Sequence, residues 1–144
     1  MVTIRRVMTI ERPAETVYGY LADFENTNEW DPGTVRTTRL EGGGGVGTTY
    51  RNVSRFGGRE TELLYTVDEL SAPERLRFRG VNKTVTARDT ITLRSLAPGE
   101  TELTYLAEFE FHGVARLAVP FLGRQFAKLG DEAAARLHDV LGNL

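Results

Sequence analysis

Asp89 is the residue most out of keeping with its neighbours. It lies in the run Thr84–Leu96, where Val85, Ala87, Ile91 and Leu93 share its parity and Thr86, Arg88, Thr90, Thr92 and Arg94 take the other. Successive side chains of a strand alternate between faces, so this carboxyl belongs to the dry one. A charged carboxylate there is costly unless it is paired, hydrogen-bonded or protonated. It is either a general acid or base with a shifted pKa inside a cavity, or a structural acid held by backbone amides or by an arginine at a cavity's edge. Tyr105 shares the dry face of the next run, Thr101–Phe111, with Leu103, Ala107, Phe109 and Phe111. The turn at Ala97-Pro98-Gly99 relates the two runs. For the dry faces to coincide, paired residue numbers must sum to an even number. A two-residue Pro98-Gly99 turn would pair Arg94 with Leu103 and break that rule. A three- or five-residue loop centred on Pro98, with Gly99 free to take positive φ, keeps it. Ile91 then faces Tyr105 and Asp89 faces Ala107, which places the phenol diagonal to the carboxyl. Its hydroxyl could reach Asp89 or a bound carbonyl and stabilise an enolate. A core tyrosine with a satisfied hydroxyl is the other reading.

Tyr65 sits on the dry face of Glu60–Glu69 and has the same two readings. In Thr48–Arg55 either Tyr50 or Arg51 points inward, and the alternation does not choose between them. An inward Arg51 could pair with Asp89 or bind a ligand carboxylate. Trp30, the only tryptophan, is a lid or stacking residue at a cavity mouth, or a plug between helices and sheet. Phe78, Ile91, Phe109, Phe121 and Phe126 complete the candidate apolar lining; Phe121 and Phe126 suit a cavity better than Phe109, which suits the core.

These residues need a scaffold, and the rest of the chain describes one. Val2–Glu11 reads as a strand, rich in Val, Ile and Thr. Pro13 suits a first helical position, and Ala14, Val17, Tyr18 and Leu21 give a short helix over roughly residues 13 to 22 one apolar face, although Arg12 is a poor N-cap. A second helical turn spans Phe24–Glu29 and breaks at Trp30-Asp31-Pro32-Gly33. Six strands follow: Thr34–Leu40, Thr48–Arg55, Glu60–Glu69, Arg75–Gly80, Thr84–Leu96 and Thr101–Phe111, with turns at Gly42–Gly45 and at Phe56-Gly57-Gly58. Their period-two alternation predicts an antiparallel sheet with one dry and one wet face, the wet one carrying cross-strand charge pairs such as Arg94–Glu102 and Arg88–Glu108. A long helix ends the chain, with Leu122, Phe126, Leu129, Ala133, Leu137 and Val140 or Leu141 at spacings of three and four. Pro120 marks its start or a kink, Gly130 leaves a gap on its apolar face, and Gly142 closes it. The expected fold is α+β: a curved seven-stranded antiparallel sheet around one long C-terminal helix, as a single domain over residues 1–144. A bent sheet gripping one helix does not close completely, and such gaps hold small molecules.

Composition narrows the function. A net charge of -2 argues against a nucleic-acid protein. With no cysteine there is no disulfide and no thiolate chemistry. No apolar run approaches a membrane span, nothing at the N-terminus resembles a signal peptide, and a cytoplasmic setting is expected. His112 and His138 lack metal-ligand spacing and join no triad, and Gly42–Gly45 lacks the Lys-Ser/Thr of a phosphate loop. No metal or cofactor is expected.

Several short motifs, weak singly, occur in a telling order: Pro13-Ala14-Glu15-Thr16-Val17-Tyr18, Trp30-Asp31-Pro32, Gly47-Thr48 with Tyr50, Pro73-Glu74-Arg75-Leu76, Asp89 in Arg88-Asp89-Thr90, and Thr101-Glu102-Leu103-Thr104-Tyr105. In these the chain resembles the START-like or Bet v 1-like superfamily (SRPBCC), and within it the polyketide cyclase/dehydrase and lipid-transport branch. The resemblance implies a helix-grip fold with a cavity for a hydrophobic ligand, but no one reaction. The leading expectation is a carrier or sensor of a lipid or polyketide-like metabolite, monomeric or weakly dimeric. The alternatives are a cyclase/aromatase or dehydratase using Asp89, Tyr105 and Arg51, and a protein-interaction module on the same scaffold.

Overall fold

The structure, a computed structural model, describes residues 1–144. Seven strands form one antiparallel sheet: β1 (Val2–Ile10), β2 (Thr34–Glu41), β3 (Thr49–Phe56), β4 (Arg59–Ser71), β5 (Arg75–Val81), β6 (Val85–Ala97) and β7 (Glu100–Phe111). Their spatial order is β1-β7-β6-β5-β4-β3-β2, so the chain meanders from one edge to the other and β1 closes the far side of β7. Between β1 and β2 lie α1 (Ala14–Ala22), a 3-10 turn at Phe24–Asn26 and α2 (Thr27–Trp30). After β7 comes a 3-10 segment, Gly113–Phe121, and then the long helix α3 (Gly123–Gly142). This is the expected helix-grip arrangement. Pro120 belongs to the 3-10 segment, so the main helix starts after it.

Alternation decides which residues meet the helix. Leu76, Ile91, Leu103 and Ala107 from the sheet and Leu137 and Leu141 from α3 are almost wholly buried. Gly130 of α3 lets the helix lie close on β1: a Cβ there would come 2.6 Å from Ile4 Cγ2 and 2.8 Å from Arg6 Nη2. The expected gap is thus filled by these two β1 side chains. Arg6 also bonds Asp131 of α3 at 3.0 Å. Arg12, instead of capping α1, donates hydrogen bonds to the carbonyls of Gly142 and Leu144. A cation there complements the negative end of the α3 dipole and takes up terminal carbonyls that lack helical partners.

Two details of the sheet depart from the sequence reading. The β6–β7 turn is the two-residue Pro98-Gly99, because Ala97 pairs with Glu100. A bulge between Ser95 and Ala97 absorbs the odd step, so Arg94↔Glu102, Ile91↔Tyr105 and Asp89↔Ala107 still pair as the dry faces require. Gly99 has no positive φ. On the wet face, Arg94 bonds Glu102 at 3.1 Å, but Arg88 turns diagonally to Glu110 at 3.5 Å although Glu108 lies opposite it. At the β3–β4 tip, Gly57 and Gly58 have φ of 61° and 79°, the pair of positive values that a type I′ hairpin turn demands.

Candidate functional site

The helical insertion and α3 divide the inner face of the sheet between them. Phe24 lies at the centre of one half, with ring centroids 4.5 Å from Tyr65, 4.7 Å from Phe78 and 5.4 Å from Tyr50. That half is filled. The other half, toward the β3–β4 hairpin and the start of α3, holds a cavity of about 510 Å³. Phe126 of α3 anchors its apolar wall, with Phe56 at 4.5 Å, Phe109 at 5.1 Å and Phe111 at 6.0 Å between ring centroids. Ala115, Ala118 and Leu122 bring the 3-10 segment and its junction with α3 to the same space. Arg55, Arg59 and Glu60 also border it but are exposed, at its rim, where Arg55 is held by Glu60 at 2.7 Å.

Four polar side chains converge at the inner end: Asp31, Asp89, Tyr65 and Tyr105. Strand phase delivers three of them, since Tyr65 of β4, Asp89 of β6 and Tyr105 of β7 all point to the dry face and are more than nine-tenths buried. Gly80 makes room for Tyr65. The two are cross-strand partners, and a Cβ on Gly80 would stand 2.5 Å from the phenol ring. Trp30 packs edge-on against Tyr105 at 5.6 Å and supports that ring from behind. Asp31 comes from the turn after α2. Its carboxylate accepts the Gly33 N–H at 3.0 Å and the Thr34 hydroxyl at 2.9 Å, which folds the turn so that the remaining surface of the carboxyl faces the cavity.

The electrostatics follow from this crowding. Loss of water, then the charge of Asp31, pushes the Asp89 carboxyl up to about 8, against the opposing influence of the neighbouring Tyr105 hydroxyl. Near neutral pH, Asp89 therefore holds its proton. Burial also raises Asp31, but the bonds from Gly33 and Thr34 and the charge of Arg136 oppose the rise. Both phenols are pushed well above their ordinary value, first by burial and then by Asp89. The site thus sets two buried phenols and the protonated Asp89 beside the Asp31 carboxyl, whose two oxygens already accept hydrogen bonds from Gly33 and Thr34. No group of three or more His, Asp or Glu side chains is placed to hold a metal ion.

Over residues 1–142 the sequence matches the family described as polyketide cyclase / dehydrase and lipid transport. The chain belongs to that family. Solved structures agree on the scaffold. An aromatase/cyclase, Zhui from Streptomyces sp. R1128, superposes with a TM-score of 0.82 at 16% identity, over 97% of this chain and 93% of that one. A START superfamily protein from Mycobacterium smegmatis gives 0.71 at 17% identity, over 98% and 94%. Ara h 8.0201 gives 0.59 at 15% identity, over 93% and 98%. At these identities the likeness is one of fold. No curated protein matches the chain significantly. No helix is long and apolar enough to cross a membrane.

Within this family fold the candidate residues separate clearly. Asp89, Tyr105, Tyr65, Phe109 and Phe126 line the cavity. Tyr50 does point inward, but with Phe78 it packs around Phe24. Ile91 is core, and Trp30 is a buried plug, neither a lid nor a cavity wall. Arg51 is on the opposite face, exposed and paired with Glu62, because Tyr50 takes the inward phase of β3; it cannot reach Asp89 or a bound ligand. Phe121 is 84% exposed, because the 3-10 segment directs it outward before α3 begins. Of the two places open to Phe109, cavity or core, it takes the cavity wall. The site residue that sequence reasoning missed is Asp31. Its signal was an acid next to the tryptophan of Trp30-Asp31-Pro32, but a turn has no periodicity to say where a side chain points.

Proposed function

We propose that the protein is a single-domain binder of a small, largely apolar molecule, which it holds in this cavity between sheet and α3. The observation that carries the reading is a cavity of about 510 Å³, walled by phenylalanines and lined at its inner end by Asp31, Asp89, Tyr65 and Tyr105. That volume and that mix of apolar wall with a few convergent polar groups are typical of small-molecule sites. The ligand's body would lie against Phe56, Phe109, Phe111 and Phe126, and its polar end against the Asp31–Asp89–Tyr65–Tyr105 cluster. Membership of a family that spans lipid transport and polyketide chemistry supports an apolar ligand. Native mass spectrometry of freshly purified protein, followed by identification of what denaturation releases, tests it. A discrete apolar ligand, or binding from a panel of lipids and polyketide mimics, is expected; neither one appearing would overturn the reading.

A second reading, cyclisation or dehydration of a polyketide-like chain in the same cavity, rests on one further observation. Asp89 keeps its proton to about pH 8 beside Tyr105, so two donors could hold a developing enolate oxygen. For this reading Asp89→Asn abolishes turnover while ligand binding and fold persist. Retained turnover would leave Asp89 with a structural or binding role.

A further inference from the structure

The inner end of the cavity gathers two carboxyls, and the only basic side chains of the lining, Arg55 and Arg59, stand away from it. Asp31 and Asp89 reach it from the turn after α2 and from β6, with Tyr65 of β4 and Tyr105 of β7 beside them. Asp31 keeps two hydrogen bonds from its own turn and is the member better able to stay ionised. The Tyr65 side chain lines the cavity, and no hydrogen bond within the protein ties its hydroxyl. The cations lie elsewhere. Arg136 of α3 is exposed, lies outside the lining and acts on Asp31 only through its field. Arg55 and Arg59 stand at the exposed rim, with Arg55 committed to Glu60.

A ligand's polar group would meet these partners as follows. A carboxylate at the inner end would face Asp31 with like charge and no cation in reach. A neutral carbonyl could accept from Asp89 and the phenols but would leave the Asp31 charge uncompensated. An ammonium offers several N–H donors to two carboxyls and to phenol oxygens, and removes the buried charge imbalance. We propose that the polar end of the ligand is a cationic nitrogen, a primary or secondary ammonium on an apolar ring system, seated between Asp31 and Asp89. This rests on the ligand-binding reading above and narrows it to a chemical class. Because Asp89 is protonated near neutral pH when the cavity is empty, seating the cation drives that proton to solvent.

A matched series tests this by calorimetry at pH 7: 2-(1-naphthyl)ethylamine, 2-(1-naphthyl)ethanol and 1-naphthylacetate. The amine should bind at least about tenfold tighter than the alcohol, and the acetate weakest, as unscreened charges in a buried site require. Repeating the amine titration in buffers of different ionisation enthalpy should show release approaching one proton, which the alcohol does not produce. Asp31→Asn and Asp89→Asn, checked for folding by thermal melting, should each reduce the preference for the amine. Equal or tighter binding of the alcohol or the acetate, or amine binding without proton release, overturns the proposal and leaves ligand binding standing. Binding of none of the three counts against the cavity reading itself and takes this proposal with it.

Discussion

Beneath the sheet lie two groups of buried polar side chains, one around Asn52 and one around Asp89. Asn52, Thr27 and Thr37 are at most 3% exposed, and every contact among them is made. The Asn52 amide donates to Thr37 at 2.8 Å and to Thr34 at 3.0 Å, the Thr27 and Thr37 hydroxyls share a bond of 2.7 Å, and Asn28 pairs with the Thr37 backbone in both directions. This group ties α2 to β2 and β3 and so holds the turn that presents Asp31. The Asp89 group is nearly as buried, yet no tight hydrogen bond within the protein ties Asp89, Tyr65 or Tyr105, and all three side chains open onto the cavity. A polar network that is complete specifies structure; one left incomplete next to a cavity reserves its bonds for something else.

The contrast can be broken at several points. Asn52→Ala should cost the most, about 3 kcal/mol, because it removes the bonds to Thr34, Thr37 and Ser54 together and leaves a gap where a buried amide stood; urea unfolding measures it. Asp89→Asn should change the pH profile of stability. Folded Asp89 keeps its proton to about pH 8, whereas the unfolded chain loses it near pH 4. Between those values the unfolded state binds fewer protons, so wild-type stability falls as pH rises, by up to about 1.4 kcal/mol per unit. The asparagine variant should flatten this slope in denaturant titrations from pH 5 to pH 8. A slope unchanged by the substitution would mean that Asp89 is not the group responsible. Gly80→Ala should cost about 1–2 kcal/mol and displace the Tyr65 ring, weakening ligand retention more than Asn52→Ala does at matched temperature below melting. Arg51→Ala and Phe121→Ser should each leave the urea midpoint essentially unchanged, the first removing only an exposed ion pair and the second only an exposed side chain.

The fold was legible because alternation is strong where it matters. In β6 and β7 the inward residues are nearly all apolar, so Asp89 and Tyr105 stood out and their diagonal placement followed from parity alone, even though the turn was assigned the wrong length. In β3 the inward set includes Asn52 and Ser54, which belong to the structural network, so the apolar signal was diluted and Arg51 stayed a candidate. What alternation cannot show is which part of a dry face gets covered. Phe24 fills one half of it, and nothing in the strand pattern distinguishes Phe78, which it covers, from Phe109, which it does not. Phe121 misled for a different reason: it sits next to a helical repeat but belongs to a 3-10 segment with its own phase.

The pairing of β1 with β7, and the grip of Arg12 on the carbonyls of Gly142 and Leu144, join parts of the chain between 91 and 132 residues apart. Contacts this distant are formed late, because the loop they close must first be paid for in entropy. On the ribosome, the first strand waits while the other six are made, and α3 follows all of them. The cavity has no floor until that helix emerges, so a nascent chain presents only its open half. In the interval its inner sheet face is bare, and exposed apolar surface of that kind favours misassembly.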